Sequence, residues 1–336
     1  MDRRSSQAPE RGAPLSARDA TLPGAAHTRV EAIPAARPSR RLSMSRREAL
    51  WFYIFLSPWL VGLALFTAWP ILSSFYFSFT NYRLLGLETH FLGLRNYYLI
   101  FTRDPVFWEA VRVTITYAAV SVPLVLTLSL VAALLVNTGV RGVGLFRTLF
   151  FIPSQIPGFV MVLVFSVIFE PRYGLLNQAL ELIGIQGPAW FQNPDWQLPS
   201  LIMISSWGFG GGMVIFLAGL QDVPQSLYEA ATIDGATAWQ RFRRITLPLI
   251  SPVMFFNVVM GFIGGLQVFQ QGYALNSLGG HGLMINFWVV YIFNIAFSSP
   301  YRMGYAAALS VLLMALIALI TAAIALLGRR LVFYQA

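Results

Sequence analysis

The chain has 336 residues, of which 57% are apolar and only 11% charged, against roughly 25% charged in soluble domains. Its basic residues are all arginine and its formal net charge is +9. So few charges cannot coat a soluble protein of this length, which excludes an ordinary soluble enzyme and makes nucleic acid a poor partner for the basic excess.

Residues 1–46 are rich in Arg, Pro, Ala and Ser and hold almost no apolar cluster. Such a stretch cannot bury enough surface to offset its chain entropy, so it is expected to be a disordered tail. Ser45, Arg46 and Arg47 have the form of a twin-arginine export signal. The apolar run that follows is much longer than the roughly 7–15 residues of a signal's central region, so flanking charge is the plainer reading.

Uncharged runs then cover 51–79, 113–140, 148–169, 198–221, 245–301 and 303–328, with His281 taken as neutral. A helix needs about 20 apolar residues to cross a bilayer. The runs are too continuous for the alternating strands of a barrel. The expected fold is all-α and polytopic, with spans near 51–79, 113–136, 148–169, 198–221, 251–273 and 303–327. The stretch 283–301 is long enough for a seventh span, but arginine placement argues against it. With six spans, one side collects the tail, Arg141, Arg147, Arg241, Arg243, Arg244, Arg329 and Arg330. The positive-inside bias makes that side cytoplasmic, with both termini there. The stretch 283–301 is then a membrane-surface helix leading into the last span.

No catalytic or metal site is legible. Cysteine is absent, and His27, His90 and His281 lie far apart without metal-ligand spacing. The spans carry no central charge, where a proton relay would keep one. Glu109 and Arg112 stand at a span entrance at i, i+3, where they could pair or anchor the interface.

The loop 222–250 carries the most information. Ser226 and Glu229 have capping-box spacing after Pro224, which predicts a helix from Ser226. Asp234–Gly235 reads as a helix-ending turn. Thr237–Ile245 places Trp239, Phe242 and Ile245 on one side, before Pro248. A helix, a glycine turn and an amphipathic helix result. Two readings of this unit stand: a partnerless membrane-surface pair, or a knob that docks on a cytosolic protein.

In this loop Glu229–Ala230–Ala231, Gly235, Ile245, Leu247 and Pro248 are spaced like the EAA signature of binding-protein-dependent ABC importer permeases. Further stretches resemble the sugar-type branch, close to the first permease subunit of oligosaccharide and glycerol-phosphate importers: 70–82, 92–97, 141–153, 216–221 and 302–306. The resemblance covers roughly 50–330. It implies the six-helix transmembrane domain of a type I importer in the bacterial cytoplasmic membrane. It also implies that Glu229, Ala230, Ala231, Asp234 and Gly235, with Ile245, Leu247 and Pro248, seat on a cytosolic ATPase. That ATPase subunit, not this chain, would bind ATP. A second, similar permease and an extracytoplasmic solute-binding protein are the other implied partners, beside the bilayer. The outer loop 276–282 lacks the proline of the family's Gly-Gly-Pro-Gly stretch.

For the solute path, span five offers Asn257, Gln267, Gln270, Gln271 and Tyr273. Gln267, Gln270 and Gln271 fall at i, i+3, i+4 on one stripe, beside Gly261, Gly264 and Gly265, which permit close helix approach or a local kink. Interhelical hydrogen bonding and contact with solute both remain open for them. A secondary transporter driven by an ion gradient is the main alternative function. It calls for intramembrane ionisable groups or an inverted repeat, and neither is visible.

Overall fold

The uncharged runs fold as helices, and among the described residues the only strand-like feature is an isolated bridge between Thr80 and Phe91. The computed structural model describes residues 46–86, 88–138, 142–278 and 285–331. It divides into two units, Met1–Pro58 and Trp59–Ala336. The tail expected to be disordered lies outside the described residues apart from Arg46. The described part of the first unit, 46–58, is the start of α1 (Arg46–Leu63).

In the second unit a π-helical turn, Ala64–Ala68, leads into α2 (Trp69–Phe77), which buries no residue. After α3 (Arg95–Arg103) comes α4 (Pro105–Val136), the central helix, which packs against several later elements. Asp104 starts α4 by accepting from the Phe107 N–H at 3.0 Å, with Pro105 at the first helical position. Glu109 and Arg112 are both exposed and form no ion pair among the described residues.

The expected span 148–169 is not one straight helix. α5 (Val143–Phe151) runs through a 3-10 turn, Ile152–Gln155, and α6 (Gly158–Ile168) then departs at 99°. Pro157 forces the residue before it out of the helical region, and Ile156 is extended at ψ 125°. Then follow α7 (Leu175–Glu181), α8 (Pro194–Ser206), a 3-10 turn at Trp207–Phe209, and α9 (Gly210–Gln221). The loop 222–250 holds α10 (Gln225–Ile233), α11 (Ala238–Arg241), a π-helical turn at Phe242–Thr246, and α12 (Leu247–Leu249).

The fifth expected span, 251–273, is α13 (Ser251–Leu266) and α14 (Gln270–Leu278), broken at 267–269. α15 (Trp288–Phe297) has 10 residues. That is about 15 Å of helix, too short for a hydrocarbon core of about 30 Å. It does not lie free on a surface: Trp288 and Val290 are buried, and it packs on α4 and α16 (Met303–Leu331). Among the described residues, five helical runs are long and apolar enough to cross a bilayer, and six if the bent α5–α6 pair counts as one.

Three apolar clusters hold the second unit. Ala132, Ala133 and Val136 of α4 meet Met213, Phe216 and Leu220 of α9. Phe107 and Ala110 of α4 meet Trp288 and Leu309. Tyr117 meets Val162, Leu201 and Phe287 in the third. Small residues set the approach of α13 to α4. A Cβ on Gly261 or Gly265 would stand 2.9 or 3.0 Å from Val122.

Candidate functional site

Two regions collect the functional residues expected from sequence. In the loop, α10 begins at Gln225 behind Pro224, one residue earlier than expected, and no side chain caps it. Ser226 and Glu229 therefore form no capping box. That motif sits instead on α11, where the Thr237 N–H donates to Gln240 Oε1 at 2.8 Å and the Gln240 N–H to Thr237 Oγ1 at 3.3 Å. The consequence is chemical. Glu229 lies past the first turn of α10, exposed, with no hydrogen bond or ion pair among the described residues.

The turn after α10 is a Schellman motif. Gly235 takes φ 74°, its N–H donates to the Thr232 carbonyl at 3.1 Å, and the Ala236 N–H donates to the Ala231 carbonyl at 2.9 Å. Two further bonds fasten the knob. The Tyr228 and Thr246 hydroxyls are 2.9 Å apart, and the Arg241 guanidinium donates to Thr232 Oγ1 at 3.0 Å. Ala230, Asp234 and Gly235 are exposed beside Glu229, and Ala231 is half-buried. Ile245 lies in the π turn, and Leu247 and Pro248 open α12, all half-buried. The structure adds Ile233, 88% exposed, and Trp239, 67% exposed. Sequence reasoning assigns no role to Ile233 and groups Trp239 with Phe242 and Ile245 on one side of an amphipathic helix. The signal for Ile233 is its place four residues after Glu229, on the same helical face.

The second region is a cleft of about 520 Å³ between α4, α8, α13 and α14. Gln267, Gln270 and Gln271 all line it, but not as a helical stripe. The helix stops at Leu266, and Gln267 sits at φ −103°, ψ 16°. The three glutamines also differ in what they do. Gln270 Oε1 accepts the Gly158 N–H at 2.9 Å, a donor freed where α6 breaks from the preceding turn. Gln271 packs over the same glycine, where a Cβ would meet its amide carbon at 2.8 Å. Gln267 is exposed, and its side chain has no hydrogen-bond partner among the described residues.

Asn257 and Tyr273 do not join them. Asn257 is buried and donates to the Val253 carbonyl at 3.0 Å. Tyr273 stacks on Phe269 and meets Phe293 in the apolar core. Tyr117, Ser121 and Ser205 line the cleft instead, and the Tyr117 and Ser205 hydroxyls are 2.5 Å apart. Sequence reasoning missed these three. Tyr117 and Ser121 stand at i, i+4 in an uncharged run, which is the available signal. Ser205 offers none by itself. No charged residue lines the cleft.

The outer-loop departure falls on 276–282, of which 279–282 lie outside the described residues, as does His281. Asn276 bridges toward the far side of that loop through both the N–H and the carbonyl of Ile285, at 3.0 and 3.1 Å. His90 pairs with exposed Glu88 at 3.1 Å, and no cluster of metal-ligating side chains forms among the described residues.

The family model of binding-protein-dependent transport system inner membrane components matches residues 125–333. The probable ABC transporter permease protein YesP of Bacillus subtilis is 38% identical over 280 residues, covering 82% of this chain and 89% of that protein. The lactose transport system permease protein LacF of Rhizobium radiobacter is 32% identical, covering 84% of this chain and 95% of its own. Among solved structures, a chain of a bacterial alginate ABC transporter, in complex with an alginate pentasaccharide-bound periplasmic protein, shares the fold. The TM-score is 0.75 at 22% identity, with 88% of this chain and 100% of that chain covered.

Proposed function

The chain belongs to the family of binding-protein-dependent transport system inner membrane components, and from that premise we propose that it is a permease subunit of an ATP-driven importer for a neutral sugar or oligosaccharide. As a family member it is a multi-pass membrane protein that carries solute. The proposed topology is six spans, the bent α5–α6 pair included, with both termini cytoplasmic. Loop 222–250 is then the cytoplasmic knob that seats on an ATPase subunit. A second, similar permease completes the pathway, and an extracytoplasmic binding protein delivers the solute.

The observation that carries the coupling reading is the free Glu229 carboxylate on a fastened helix. α10 ends in a Schellman turn and is tied at Tyr228 and Thr232, so it is held stiffly. Yet its outer face leaves Glu229, Ala230 and Ile233 in solvent. A bare Ile beside an unpaired acid suits insertion into an apolar groove with a basic rim. The solute class rests on the uncharged cleft. Amides and hydroxyls from Gln267, Tyr117, Ser121 and Ser205 match the donors and acceptors of a sugar, and relatives are named for lactose and arabinooligosaccharides.

The absence of cysteine makes the coupling test clean. Ala230→Cys and Ile233→Cys, expressed with an ATPase subunit carrying single cysteines around its permease-facing groove, are expected to give a disulfide cross-link that ATP modulates. Tyr173→Cys, on the expected outer side, is expected to give none. A cross-link from Tyr173→Cys but not from α10 contradicts the reading.

A further inference from the structure

At the opposite pole of the expected topology, three arginines converge. Arg83, Arg95 and Arg302 line one cavity of about 150 Å³ together with Asn81, Asn96 and Tyr305. That is room for a few waters or one compact oxyanion. No carboxylate lines it. Neither Arg83 nor Arg95 has a side-chain partner among the described residues. The nearby acid is already committed: Asp104 Oδ2 accepts from the Tyr291 hydroxyl at 2.6 Å and the Tyr305 hydroxyl at 2.5 Å.

The cavity is also built. The Arg302 guanidinium carbon stands 4.3 Å from the centroid of the Tyr305 ring, and Asp104 fixes that ring. Buried Asn96 donates to the Ser78 and Thr80 carbonyls at 2.8 and 2.9 Å, holding the wall. The Gly304 N–H donates to the Tyr82 carbonyl at 2.8 Å and ties α16 to the same wall. Three like charges around one cavity repel unless an anion joins them.

The surroundings say which anion. The wall at Thr80 continues from α2, whose Leu72 and Phe75 are exposed and apolar. Leu84, Leu85, Phe91 and Leu94, within two residues of lining Arg83, Leu92 and Arg95 in the chain, are exposed as well. Arginines amid exposed apolar side chains at a helix end describe a bilayer interface, where basic pockets between helices take lipid head groups. We infer that Arg83, Arg95 and Arg302 form a binding site for the phosphate of a membrane phospholipid, whose acyl chains lie along α2. The leaflet follows from the topology proposed above. The site does not depend on it.

The test is native mass spectrometry of the full chain in detergent, titrated with short-chain phosphatidylglycerol. One lipid is expected to bind, and the Arg83→Gln/Arg95→Gln double variant to bind about 30-fold more weakly. Arg103→Gln, on α3 but outside the cavity, is expected to match the wild type. Diacylglycerol of the same chain length is expected not to compete, nor inorganic phosphate at equal concentration. Unchanged lipid affinity in the double variant overturns the inference, as does competition by diacylglycerol. Displacement by inorganic phosphate reassigns the cavity to a free anion. A double variant that keeps its lipid but loses affinity for the purified binding protein reassigns it to a protein carboxylate. Arg83 and Arg95 are exposed, so the double variant tests binding even if Arg302→Gln misfolds.

Discussion

Gly235 is the position where backbone geometry alone sets a measurable cost. Its φ is 74°, and a Cβ added there would meet nothing within 4 Å. Any penalty for a side chain is therefore conformational, not steric crowding by neighbours. An L-residue in the left-handed region costs roughly 1–2 kcal/mol. That is a factor of roughly 5–30 in the population of the closed turn. The amide that reports it is Ala236, bonded to the Ala231 carbonyl at 2.9 Å only when the turn is closed. Hydrogen exchange on the full chain should show Ala236 exchanging roughly 5–30 times faster in Gly235→Ala than in the wild type. Gly235→Asn should fall between them, because Asn tolerates this region, and Gly235→Val should be worst. ATP-driven uptake is expected to follow the same order. If Val and Asn exchange alike, the left-handed turn is not what holds the knob.

The glutamines of the cleft should separate by role. Gln270→Ala removes the acceptor of the Gly158 N–H and should cost about 1 kcal/mol in thermal or denaturant unfolding. Gln267→Ala should leave stability unchanged and raise the KM for uptake; equal effects of the two on stability would dissolve the distinction. Asp104→Ala deletes an N-cap and two tyrosine hydrogen bonds at once and should destabilise by about 3 kcal/mol. Asp104→Asn keeps a capping oxygen and should cost less, which the same unfolding experiment reads.

The gaps between charges mark the apolar parts of the long helices, because the bilayer core excludes charge, whereas α3, α7 and the charged starts of α4 and α8 fall outside them. Two breaks within the gaps differ in legibility. The bend at 156–157 is written in Pro153 and Pro157, which lack backbone donors, and Pro157 also bars Ile156 from the helical region. The break at 267–269 has no proline; it follows Gly264 and Gly265, which permit a kink without enforcing one, and Val268 is buried in the cluster around Tyr117 and Phe287. Helical spacing puts Gln267, Gln270 and Gln271 on one stripe, whereas in the fold they are a turn residue and the first two residues of a new helix. Nor can a local pattern foresee that Ser205 meets Tyr117, 88 positions away. In the loop, spacing marked the helix, the turn and Glu229. It misassigned the capping box, since Ser226 and Thr237 are both followed at the right distance by a Glu or Gln, and only geometry decides between them.

Glu229→Lys is the most direct test of the account, because it reverses the one charge that α10 offers without touching any bond that holds the loop. Reconstituted with its ATPase and partner permease, the variant is expected to keep wild-type thermal stability and to lose ATP-driven solute uptake. Glu229→Gln should retain part of it. Normal assembly and normal uptake in Glu229→Lys would contradict the proposal that energy enters the protein through this loop.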